Sequence, residues 1–157
     1  MKKVPQELID FFARYSTYII AGHREPDGDC IGSTLALASF LERRGKKTIL
    51  LSVGPFKRPE IKRYESIYKK EVKADEMPEN TAVVVIDCSN IDRVGDAAKG
   101  LDRFPLALID HHATNDCDHE YCYVDGKAPS TTVLVQAVIE AMGDTPTLDE
   151  ANMLLFG

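Results

Sequence analysis

Tyr18-Ile19-Ile20-Ala21-Gly22-His23-Arg24-Glu25-Pro26-Asp27-Gly28-Asp29-Cys30-Ile31-Gly32-Ser33 changes character twice within sixteen residues. It opens on a brief apolar, β-rich run, which reads as a buried strand. A polar stretch from His23 to Asp29 follows. Ile31 to Arg44 then places Ile31, Leu35, Ala38 and Leu41 on one helical face, with Arg43 and Arg44 at the end that favours cations. Gly45 is positioned as a C-terminal stop. Lys47 to Val53 is the next apolar run. Strand, polar loop, helix and strand make a βαβ unit, which implies a right-handed crossover and a parallel pair.

The same pattern extends outward. Pro5 to Tyr15 carries Leu8, Ile9, Phe11 and Phe12 at helical spacing, with Pro5 where a first turn tolerates it. Thr81 to Ile86 is nearly all apolar, as a central parallel strand should be. Leu106 to Ile109 is a fourth strand, with a short helix or turn over Asn90 to Arg103. Ser130 to Met142 reads as a helix capped near Ser130 and stopped by Gly143. Leu148 to Phe156 begins another helical pattern. The fold class is therefore α/β, a parallel sheet sandwiched by helices.

The chain has 157 residues, 44% of them hydrophobic and 28% charged, with a net charge of −6. That is enough apolar material for a core, which excludes disorder as the main state. The acidic balance excludes nucleic-acid binding by bulk charge, and leaves room for local grip on phosphate. No apolar run is long enough to span a membrane. Met1 to Glu7 lacks the apolar stretch of a signal peptide, so a cytoplasmic protein with reduced thiols is expected. Cys117 and Cys122 form only one loose ligand pair, whereas structural zinc usually takes two tight ones, so ordinary thiols are the favoured reading there. Lys57 to Lys73 holds seven basic and three acidic residues. Its interleaved glutamates favour a solvated helix face over a phosphate-facing patch.

Three polar clusters follow three of these strands: His23 to Asp29, then Asp87, then Asp110-His111-His112. In an open parallel sheet the carboxyl ends of the strands share one edge, where ligands bind. Three histidines and four aspartates would therefore meet. Like charges in one cleft oppose one another's ionisation, and a cation removes that cost. Imidazole and carboxylate without thiolate suit Mn²⁺, with Fe²⁺, Co²⁺ or Zn²⁺ as alternatives. Seven ligands exceed what one ion needs, so two ions bridged by one carboxylate fit better. Gly28 gives the Asp27–Asp29 pair freedom to turn. Gly32 and Ser33, in the first turn of the following helix, are candidates for binding a phosphate oxygen.

These motifs resemble the DHH phosphoesterase superfamily. His23 to Ser33 is similar to its HxxPDxDxxGS pattern, Val85-Ile86-Asp87-Cys88-Ser89 to its second motif, and Ile109-Asp110-His111-His112-Ala113-Thr114-Asn115 to IDHHxxN. The nearest resemblance is to the NrnA-like oligoribonuclease and 3′-phosphoadenosine-phosphate phosphatase group and related cyclic-dinucleotide phosphodiesterases. The later Ala128-Pro129-Ser130-Thr131-Thr132 supports it. The resemblance implies a manganese-dependent phosphoesterase acting on short oligonucleotides, linear dinucleotides or 3′-phosphoadenosine-phosphate. It implies His23 and Asp27 on a first Mn²⁺, Asp29 and His111 on a second, and Asp87 bridging both, with Co²⁺, Fe²⁺ or Mg²⁺ as alternatives. It implies His112 on the scissile phosphate, Asp110 orienting His111, and a water acidified by both ions attacking phosphorus in line. An inorganic pyrophosphatase of the same superfamily, or a non-catalytic nucleotide- or metal-binding domain, are the alternatives.

The family also carries a fourth motif, an aspartate in a DTG-like segment, and a smaller C-terminal domain that holds substrate. Neither is seen before Gly157, so residues 1–157 are expected to be an N-terminal catalytic domain truncated before both, weak or inactive alone. Asp116, Asp118 and Asp125 are the aspartates near the third motif that could substitute as ligands. Leu154, Leu155 and Phe156 form a candidate self-association patch, consistent with a homodimer.

Overall fold

The computed structural model describes residues 1–157. Five parallel strands, β1 (Thr17–Ala21), β2 (Lys47–Leu51), β3 (Thr81–Ile86), β4 (Leu106–Asp110) and β5 (Cys122–Val124), form one sheet in the order β2-β1-β3-β4-β5. β5 is the strand that the sequence pattern does not announce. It is three residues long, lies at an edge and is only partly buried, so it carries too little apolar signal.

Alternation sorts the strand residues into two cores. Tyr18, Ile20, Ala82, Val84, Ile86, Ala107 and Ile109 face the helices α1 (Gln6–Arg14), α2 (Gly28–Arg43) and α3 (Thr131–Ala141). Ile19, Ala21, Val83, Val85 and Leu108 face the other way, against Val94, Ala97 and Leu101. These last belong to short 3-10 helices at Ile91–Ala98 and Leu101–Arg103. The sheet is thus flanked on both faces, by α-helices on one and by 3-10 turns on the other. In α1, Leu8, Phe11 and Phe12 are fully buried, each contributing about 1.5–3 kcal/mol by leaving water.

Three local expectations change. α2 begins at Gly28 rather than Ile31, because the Asp27 side chain accepts from the Cys30 N–H at 3.0 Å and caps it. Lys57 to Lys73 is no helix face. It is irregular chain with one 3-10 turn at Lys62–Ile67, and two of its lysines are spent on ion pairs, Lys57 with Glu25 and Lys62 with Glu65. Cys117 and Cys122 are joined as a disulfide, where reduced thiols are the sequence expectation. Their Cα atoms lie 6.1 Å apart, within the span such a bond bridges.

The last helix, α4 (Leu148–Leu154), starts with a reciprocal capping box between Thr147 and Glu150. The Glu150 carboxylate is fully buried. It accepts from Arg43 Nε at 2.8 Å and Nη2 at 3.1 Å, and from Ser39 Oγ at 3.1 Å. Burial works to raise its pKa, but Arg43 and the Thr147 amide prevail and hold it below the ordinary value. α4 then runs over the start of α2. A Cβ at Gly28 would sit 2.6 Å from the Phe156 carbonyl oxygen, and one at Gly32 2.3 Å from that of Met153. Both glycines serve close approach, not turning. Phe156 is half-buried, with its ring 5.8 Å from Tyr64, and Leu154 is half-buried too. Only Leu155 of the expected self-association patch is exposed. No helix is long and apolar enough to cross a membrane.

Candidate metal centre

The strand order places a topological switch between β1 and β3, since β1 continues to β2 on one side and the chain later adds β3 on the other. His23 follows β1 and Asp87 follows β3, so both stand at that crevice. Asp110, His111 and His112 close β4 next to it. Backbone strain gathers here as well. Glu25 at φ 52° and Asp87 at φ 56° are the two non-glycine residues in the left-handed region, at a cost of order 1–3 kcal/mol each. Aspartate tolerates that region better than most residues.

The structure brings all five expected ligands together. Asp87 is nearly fully buried and divides its oxygens: Oδ2 lies 3.5 Å from His23 Nε2, and Oδ1 lies 3.7 Å from His111 Nε2. Asp27 Oδ1 is 3.8 Å from His23 Nε2, and Asp29 Oδ2 is 3.3 Å from His111 Nε2. Two triads share one carboxylate. The imidazoles are oriented alike. His23 Nδ1 lies 2.7 Å from the Arg24 carbonyl and His111 Nδ1 lies 3.3 Å from that of Ala128. A carbonyl can only accept, so each ring donates from Nδ1 and turns Nε2 toward the carboxylates. This is how metal-ligating histidines are held, and the donor set fits a divalent cation of the Mn²⁺ or Mg²⁺ type in each half.

Neighbours in the cluster shift one another's ionisation. Burial opposes protonation of His23, but Asp27 and Asp87 outweigh it and raise its pKa to about 10. Asp27 is lowered to about 2, chiefly by its contact with His23. Asp29 is raised, first by burial and then by the Asp87 charge.

Two roles expected from the motifs shift. Asp110 orients His112 rather than His111: its Oδ1 lies 2.6 Å from His112 Nδ1. Its Oδ2 accepts from Asn115 Nδ2 at 2.8 Å, so both carboxylate oxygens are engaged away from His111. Gly32 and Ser33 lie a turn inside α2 and are buried, so the free N–H groups belong to the helix start instead, at Gly28 and Asp29. Ser33 Oγ has no hydrogen-bond partner. Asp125, one of the spare carboxylates, instead accepts from the Lys2 and Lys127 amides.

Three contributors escape motif reading. Thr131 Oγ1 donates to Asp87 Oδ1 at 2.8 Å. The N–H groups of Thr131 and Thr132 donate to Asp29 at 2.9 and 3.0 Å, so Asp29 caps α3 from a distance. The Pro-Ser-Thr-Thr stretch signals a helix start, but not whose carboxylate it meets. Cys30 is the third. Its donor atom lies within 4.8 Å of those of His23 and Asp87. Burial pushes its pKa well up, which keeps it a neutral thiol behind the nitrogen and oxygen donors. It fits only because Gly22 lacks a side chain: a Cβ there would lie 2.2 Å from Sγ. Gly22→Ala is expected to lower stability by about 1–3 kcal/mol through overpacking. Adding Cys30→Ala in that background should restore part of it, although Cys30→Ala alone destabilises. Denaturant midpoints of the two single variants and the double read this, and purely additive losses would contradict it.

Comparison with known proteins identifies the family and the fold. Residues 17–157 match the family described as DHH family, N-terminal domain. The chain is 31% identical over 143 residues to a bifunctional oligoribonuclease and PAP phosphatase NrnA of Thermus thermophilus, covering 88% of this chain and 41% of the relative. A crystal structure of an exopolyphosphatase-related protein from Bacteroides fragilis superposes with TM-score 0.78 at 23% identity, over 100% of this chain and 51% of that one. The exonuclease RecJ bound to manganese superposes with TM-score 0.54 at 16% identity, over 96% of this chain and 42% of that one. The chain spans less than half the length of the curated relatives it matches. With its three motifs gathered at one end of a β2-β1-β3-β4-β5 parallel sheet, this chain belongs to the DHH family, of which it carries the N-terminal domain.

Proposed function

We propose that the chain is the catalytic lobe of a divalent-cation phosphoesterase acting on short oligoribonucleotides, linear dinucleotides or 3′-phosphoadenosine-phosphate. The carrying observation is Asp87, whose two oxygens face two histidines that each have a further aspartate beside them. Two relatives named as oligoribonucleases and PAP phosphatases support the substrate class. Manganese in a RecJ neighbour supports the ion. In this reading His23 and Asp27 hold one cation, Asp29 and His111 a second, and Asp87 both. Such a pair supplies an acidified water and neutralises phosphate charge.

The remaining residues position the substrate. His112, fixed through Nδ1 by Asp110, presents Nε2 as the group that meets the scissile phosphate. The Arg58 charge helps to lower Asp27, and the same long-range attraction would act on an anionic ligand.

Calorimetry with Mn²⁺ and release of mononucleotide from a diadenylate test this reading. Expected are Mn²⁺ binding by the 157-residue chain, and manganese-dependent release that exceeds release of phosphate from pyrophosphate in the full-length protein. Absence of Mn²⁺ binding would falsify the metal reading. Binding without turnover of any of these substrates would leave a nucleotide- or metal-binding domain, and preference for pyrophosphate a pyrophosphatase.

A further inference from the structure

The loop between β4 and β5 carries a second cluster of donors, chemically unlike the first. Cys117, His119 and Cys122 bring two sulfurs and an imidazole nitrogen within 4.8 Å of one another. The backbone holds this arrangement. The Cys117 N–H donates to Asn115 Oδ1 at 2.9 Å, and the Cys122 N–H donates to the His119 carbonyl at 3.0 Å. The Tyr121 N–H donates to His119 Nδ1 at 3.3 Å and orients the ring. Cysteine spacing alone offers one loose pair. The fold adds His119, because Cys122 opens β5 and turns the loop back on itself.

The imidazole nitrogen already lies within 4.8 Å of both sulfurs, so once the S–S bond is broken a small separation of the sulfurs brings three donors to three corners of a tetrahedron around Zn²⁺, whose bonds run about 2.3 Å to sulfur and about 2.0–2.1 Å to nitrogen. Soft thiolates select thiophilic cations, whereas the oxygen-rich centre around Asp87 selects harder ones. We propose that Cys117, His119 and Cys122, in the dithiol form, bind one thiophilic divalent cation of the Zn²⁺ class, with the fourth position left to water. Disulfide and cation exclude each other, since both use the same two sulfurs. Conversion with a phosphine reductant is balanced. The phosphine takes the oxygen of a water and is oxidised, the S–S bond breaks, and the water's two protons go to the sulfurs. Each thiol then releases its proton to solvent as its sulfur meets the cation.

The site is tied to the third motif. Asn115 takes the Cys117 N–H with one end of its amide and donates to Asp110 with the other. A cation there would fasten the loop that Asn115 belongs to, one hydrogen bond from the aspartate that orients His112.

Co²⁺ is the probe, because thiolate ligation gives a sulfur-to-cobalt charge-transfer band in the near ultraviolet that nitrogen and oxygen ligands do not. The phosphine-reduced 157-residue protein is expected to develop this band, saturate it at one equivalent, and lose it on addition of Zn²⁺. Cys117→Ser and Cys122→Ser should each abolish it. His119→Ala, at an exposed position, should keep the fold and weaken binding by at least the roughly 10-fold that loss of even an outer partner costs. Asp87→Asn and Cys30→Ala should leave the band intact, which separates this site from the first centre and from any failure of the phosphoesterase reading. No band in the reduced protein, a band surviving Cys117→Ser with Cys122→Ser, or undiminished affinity in His119→Ala would each overturn the proposal.

Discussion

Asp87→Asn is expected to lower manganese-dependent hydrolysis in the full-length enzyme by about three orders of magnitude, with loss of tight Mn²⁺ binding in the 157-residue chain. The substitution is close to isosteric. Asparagine also tolerates the left-handed backbone at this position, and its carbonyl oxygen can keep the Thr131 hydroxyl bond. What it removes is charge at the point shared by both triads. One face then offers a neutral amide NH₂ where a cation needs an anionic oxygen. A loss of several kcal/mol in transition-state charge stabilisation is the size expected of disabling such a centre. The fold should survive, so near-native circular dichroism together with lost binding is the informative pair. Mn²⁺ affinity within threefold of the parent would remove Asp87 from the shared position.

The second large effect lies far from the chemistry. Arg43→Ala is expected to destabilise the chain by about 3–5 kcal/mol, because it strands the Glu150 carboxylate at a fully buried position. Arg43 makes two bonds to Glu150 and another to Asp144, which ties α2 to α4 and to the turn before it. Pairing Arg43→Met with Glu150→Gln should recover most of the loss, since no buried charge is then left unpaired. Denaturant unfolding of the single and double variants measures this. A single variant losing under 1 kcal/mol would mean that Glu150 finds water or simply protonates. The effect should spread inward, because α4 lies across Gly28 and Gly32, beside the carboxylates of Asp27 and Asp29.

The fold was legible because its three central strands are buried on both faces. Val83-Val84-Val85 and Ile19-Ile20 read as continuous apolar runs, and a parallel sheet then follows from one βαβ unit. The convergence of His23, Asp87 and His111 needed only the rule that parallel strands end together. The start of α2 was harder. Asp27 and Asp29 look alike as motif aspartates, yet one caps α2 and the other caps the neighbouring α3. The long-range partners of Asp29 lie at residues 131 and 132, and no local pattern carries that pairing. The orientation of His112 by Asp110 was likewise hidden, since neighbouring histidines in one triplet differ only in where their rings point. β5 and the joined cysteines depend on how an irregular loop folds back.

Asp29 ties two requirements to one side chain. Its oxygens hold the first turn of α3 and face His111 at the same time. Asparagine there would turn an NH₂ toward a backbone N–H, and glutamate would push the carboxylate one methylene too far. Position 29 thus has almost no neutral neighbours in sequence space. A lineage that gives up the chemistry gains no freedom there, because the helix still demands the same carboxylate.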